Sequence, residues 1–218
     1  CAQQRRRIFR CAQERGIEIM APGAEIQEAR AMRLIGADTV PANTAAFDFR
    51  LTGHGWAVLD VQIGDKSLSI DSFGDCSHAF LDFLMAAISA ADGQGYFEFV
   101  LNGEPAGWRW RLASRYDDRV GYHTHLIVDL FRDAFQLADQ QPVATLLEAY
   151  VDADVLARAI GDGVEAAFAD TQAGDELWGP PFPSRAQAAL KAALATARTP
   201  IAAFDFSQPY GQLTAKPI

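Results

Sequence analysis

The chain has 218 residues, half of them hydrophobic, so it can bury a sizeable core in one domain or in one domain with a helical extension. It contains no apolar run near the roughly 18 residues that a membrane-crossing helix needs. A net charge of −9 and a pI near 4.8 argue against nucleic-acid binding through the whole surface and suit a basic partner better.

Residues 1–44 read as an N-terminal helix to about Arg15 followed by a linker that ends at Pro41. The opening Cys1-Ala2-Gln3-Gln4-Arg5-Arg6-Arg7 is too polar to begin a secretory signal, and a start on Cys rather than Met suggests an incomplete N-terminus. A soluble cytoplasmic protein is the expectation. Arginines 5, 6, 7, 10 and 15 stand here against Glu14; they read as a solvated helix face, with contact to phosphate as the alternative.

Residues 45–130 carry the fold signal, with short alternating strands interrupted by one amphipathic helix in the order β-β-β-α-β-β-β. Phe47, Phe49 and Leu51 point one way while Asp48 and Arg50 point the other. After Thr52-Gly53-His54-Gly55, which reads as a turn, Ala57, Leu59, Val61 and Ile63 share the core side against Asp60 and Gln62. Gly64-Asp65 is a two-residue hairpin turn in this reading, since Gly takes positive φ readily. Leu68 and Ile70 continue the core face. A helix over 77–91 follows, capped by Asp75 or Ser77, with Phe80, Leu81, Leu84, Met85 and Ile88 as its stripe and Gly93 past its end.

Phe97, Phe99 and Leu101 then alternate with Glu98 and Val100, and Asn102-Gly103 gives a strong hairpin signal. Trp108, Trp110 and Leu112 face inward against Arg109 and Arg111. In the last strand Tyr122, Thr124, Leu126, Val128 and Leu130 lie opposite His123, His125, Ile127 and Asp129. The expected fold class is α+β: one antiparallel sheet of about five or six strands, dry on one face and wet on the other, with one covering helix and a helical C-terminal region.

The segments Gly53-His54-Gly55-Trp56-Ala57 and Glu104-Pro105-Ala106-Gly107-Trp108-Arg109-Trp110, with the helix between them, resemble a group of small uncharacterised bacterial α+β proteins. Some proteins of this general type accompany polymorphic toxins as immunity proteins. The resemblance spans 46–130 and implies a binding protein; it brings no catalytic residues.

Residues 131–218 read as helical. Val143, Leu146, Leu147, Tyr150 and Val151 make one apolar helical face, and Val155, Leu156, Ile160, Val164 and Phe168 another, weakened by Gly161 and Gly163. Trp178-Gly179-Pro180-Pro181-Phe182-Pro183 breaks any helix. Ser184 then caps an alanine-rich helix to about Arg198, and an extended tail follows Thr199-Pro200.

No phosphate loop, nucleophile elbow or H-E-x-x-H is present, and no cofactor is implied. Cys1, Cys11 and Cys76 make no C-x-x-C pair. Cys76 sits at a helix start, where the dipole favours a thiolate, but Asp75 opposes it, and it reads as an ordinary part-buried cysteine. His123 and His125, two apart on a strand, project from one face and could hold a metal if a third ligand lay nearby, with Asp129 further along that face. The acids of 141–180 (Glu148, Asp152, Asp154, Asp162, Glu165, Asp170, Asp175 and Glu176) face Arg158 alone. The leading expectation is therefore a non-enzymatic, immunity-like binding protein that meets a basic protein partner such as a toxin, through Glu148, Asp152, Asp154, Asp162 and Glu165 or through the wet sheet face. The alternative is a metal-dependent hydrolase built on His123 and His125.

Overall fold

Period-2 alternation builds most of the first sheet, with register shifts at Leu51/Gly53 and Ala57/Leu59. In the computed structural model, which describes residues 38–75, 78–93, 95–135, 140–169 and 171–196, β1 (Ala45–Gly53), β2 (Trp56–Ile63) and β3 (Lys66–Gly74) pair antiparallel in that order. Phe49 lies opposite Leu59, and Ile63 opposite Lys66, so Gly64-Asp65 is the two-residue turn, with Gly64 at φ 57°. Phe47, Phe49, Ala57, Leu59, Val61, Ile63, Leu68 and Ile70 are all buried on one side. The Gly53-His54-Gly55 turn holds three successive positive φ angles (97°, 55° and 75°), which explains the two glycines around an exposed histidine.

The helix α1 (Ala79–Ala91) forms where expected, but its buried stripe is Phe80, Phe83, Leu84, Ala87, Ala90 and Ala91. Leu81 is exposed instead. Phe83 wins the core because it meets both sheets, edge-on to Phe49 at 5.0 Å and to Trp110 at 5.1 Å between ring centroids. His78 stands at the N-cap without a side-chain cap bond, so Asp75 does not cap the helix, and Ser77 lies outside the described residues.

The remaining strands form a second sheet rather than extending the first. β4 (Gly95–Asn102), β5 (Gly107–Asp117), β6 (Gly121–Phe131) and β7 (Ala144–Asp152) pair antiparallel in sequence order. The described residues thus hold two sheets and seven strands where one sheet of five or six was expected. β7 is the largest departure, since 143–151 reads as a helical face in sequence. Leu147, Ala149 and Val151 satisfy period 2 equally well, and β6 offers a partner edge on which all three are buried. Ala42, in the expected linker, also joins this sheet, donating its N–H to Tyr150 O at 2.8 Å and accepting from Asp152 N–H at 2.9 Å.

Asn102-Gly103 opens a four-residue loop instead of a two-residue turn, because Asn102 pairs with Gly107. The Asn102 carboxamide accepts from Glu104 N–H at 3.0 Å, and Gly103 lies so close under the Trp108 indole that a Cβ there would come within 2.4 Å of it. Trp110 is 1% exposed and Trp108 is half-buried, both on the core side.

The chain then supplies α2 (Ala153–Ala167), α3 (Thr171–Trp178) and α4 (Ser184–Ala195). Asp152 caps α2, its carboxylate accepting from Asp154 and Val155 N–H. Leu156, Ile160 and Val164 of α2, with Phe168, Trp178 and Leu190, share one core with both sheets and α1. The two glycines that weaken α2 on propensity are contact points: a Cβ on Gly163 would stand 2.2 Å from Phe47 O, and one on Gly161 2.7 Å from Leu190 Cδ2. α2 therefore runs hard against β1 at Phe47. Pro183, not Ser184, holds the N-cap position of α4. The expected N-terminal helix, its arginines, Cys1, Cys11, Cys76, Asp170 and the tail after 196 lie outside the described residues.

Candidate functional site

Both sheets carry polar side chains on the face away from the shared core, and the two faces differ in chemistry. On the three-stranded sheet the alternation places Asp48, Arg50, Asp60, Gln62, Ser67 and Ser69 outside. Asp48 and Asp60 are directly opposite each other across β1 and β2. Like charges so placed repel. Arg50 sits between them, 2.7 Å from Asp60 and 3.5 Å from Asp48, with all three side chains well exposed. Ser69 Oγ also donates to Asp60, and this bond, followed by the Arg50 charge and hydrogen bond, holds the Asp60 carboxyl below its ordinary range. Ala46, Asp48, Asp60, Gln62, Ser67 and Ser69 line a shallow cleft of about 270 Å³ here.

The outer face of the four-stranded sheet is polar but closed. Arg109, Arg111 and Arg115 of β5 lie opposite Asp129, Ile127 and His123 of β6. Asp129 is fully buried; its carboxylate accepts from Arg111 at 2.7 Å, from Arg109 at 3.2 Å and from the Thr145 hydroxyl at 2.7 Å. The Arg109 guanidinium also lies over the Phe131 ring, 4.9 Å from its centroid. Arg115 pairs with Asp117, whose carboxyl is held low chiefly by the Arg119 backbone N–H and then by the Arg119 and Arg115 charges.

This closure corrects the expectation of a wet face around the two histidines. His123 and His125 are 1% and 5% exposed. β6 is central in its sheet, and long side chains on β5 and β7 lean over it. His125 stacks on the Tyr150 ring at 4.2 Å between centroids and 11° between planes, with Nε2 2.9 Å from Glu148 Oε1. His123 directs Nδ1 at Gly121 O, 3.1 Å away. Burial is the main force lowering the His123 pKa, helped by the Arg115 and His125 charges and opposed by Gly121 O and Asp117. Burial and the Glu148 charge raise the Tyr150 phenol. Asp129 shares the face but is bonded to arginines. Among the described residues no three His, Cys, Asp or Glu side chains are grouped to hold a metal ion.

The five acids singled out in sequence do not converge. Glu148 lies on the outer sheet face, exposed and bonded to His125. Asp152 and Asp154 are half-buried at the start of α2. Asp162 and Glu165 are exposed along α2, and hydrogen bonds from Lys191 and Gln187 lower the Glu165 pKa. Asp48 and Asp60, which alternation places on the outer face, are directly opposite each other across β1 and β2. The turn at 53–55 does not by itself pair them: Gly53 lies opposite Trp56, and a register shift between Leu51 and Gly53 moves the strands by one residue, so that Asp48 meets Asp60 and not Val61.

No family model, curated protein or solved structure matches this chain. No helix among the described residues is long and apolar enough to cross a membrane.

Proposed function

We propose that this chain is a non-enzymatic binding protein, immunity-like in its mode of action, that associates with a basic protein partner through acidic surface. The outer face of the β1–β3 sheet is the surface that best fits this reading. The observation that carries it is the directly opposed, exposed pair Asp48 and Asp60 with Arg50 as the intervening cation. Arg50 already offsets one charge of the pair and lies closer to Asp60 than to Asp48, so a lysine or arginine of a partner would complement Asp48, the less closely paired carboxylate. Asp162 and Glu165 on α2 add to the negative field that steers such a partner.

The direct test is to co-express the full chain with the product of the adjacent gene and to purify the pair, while measuring the metal content and chelator response of the chain alone. A complex that weakens with salt, and a melting temperature indifferent to chelator, support the reading. Stoichiometric zinc or manganese, with a melting temperature that chelator lowers in the wild type but not in a His123→Ala, His125→Ala variant, would replace it with the metal-dependent alternative.

A further inference from the structure

We draw no further inference here: the strongest candidate, the exposed apolar side chains Phe135, Val143 and Leu146 at the β6–β7 connection and the start of β7, carries nothing because no feature of the structure shows what covers them.

Discussion

Gly163→Ala separates helix propensity from packing in this fold. In a helix interior the substitution gains about 1 kcal/mol, because glycine leaves more backbone entropy to be lost. Here the new Cβ would stand 2.2 Å from Phe47 O and 3.1 Å from Phe47 Cβ. That is about 1 Å inside the ~3.3 Å at which a carbon rests against a carbonyl oxygen. A strand carbonyl cannot rotate away as a side chain can, so α2 must back off from β1, loosening the packing of Phe47, Ile160 and Val164. Overpacking of this kind costs about 1–3 kcal/mol, and the rigid contact places Gly163 at the upper end. The net loss is about 2 kcal/mol, read as a urea midpoint lower by roughly 1 M at an m-value near 2 kcal/mol/M. Gly161→Ala is the control: its Cβ meets the end of the Leu190 side chain at 2.7 Å, which can turn aside. That variant should stay within about 1 kcal/mol of wild type. A Gly163→Ala protein more stable than wild type would refute the placement of α2 on β1.

Trp110→Ala should cost about 3–5 kcal/mol by denaturant titration, because a buried indole packed on Phe47, Phe83 and Phe99 leaves a cavity; a loss under 1 kcal/mol would place that side chain outside the core. Asp129→Ala removes the buried carboxylate that accepts from Arg109, Arg111 and Thr145 and should cost about 3 kcal/mol, measured by thermal melting. A neutral outcome would mean that the guanidinium groups find other acceptors. His123 sets a pH dependence: its folded pKa lies below the ordinary 6.5, so the unfolded chain binds the proton more readily. Its contribution is complete above about pH 6.5 and declines as pH falls from there through the folded pKa. His123→Asn should therefore lose less stability than wild type between pH 7.5 and 5, and parallel curves would remove the imidazole from the acid response.

The parts legible in sequence are those where one period explains the residues. β1, β2 and the Gly64 turn follow from alternation, and α2 follows from the spacing of Leu156, Ile160 and Val164. Segment 143–151 was illegible because its apolar residues fit periods of 2 and 3.6 alike, and the free edge of β6 decided between them. Propensity misread Gly161 and Gly163, whose role is close approach between elements distant in sequence. Leu81, on the expected helix stripe, is exposed, and Phe83, outside that stripe, is buried, because the helix contacts two sheets and not one. The histidine face was misjudged for a related reason: alternation gives the side of a sheet, but whether that side is wet depends on neighbours such as Tyr150 and Arg115. The proposed association surface is the least legible of all, since it depends on the register that puts Asp48 across from Asp60.

Association kinetics test the central claim most directly. With the partner in hand, the on-rate should be measured from about 0.01 M to 0.15 M salt, over which the screening length shrinks from ~30 Å to ~8 Å. For the wild type it should fall steeply, by about tenfold or more, as steered encounters are screened. An Asp48→Asn, Asp60→Asn variant should fold normally, associate more slowly at low salt and lose much of that salt dependence. A variant with the wild-type on-rate and the wild-type salt response would contradict the assignment of binding to the outer face of the β1–β3 sheet.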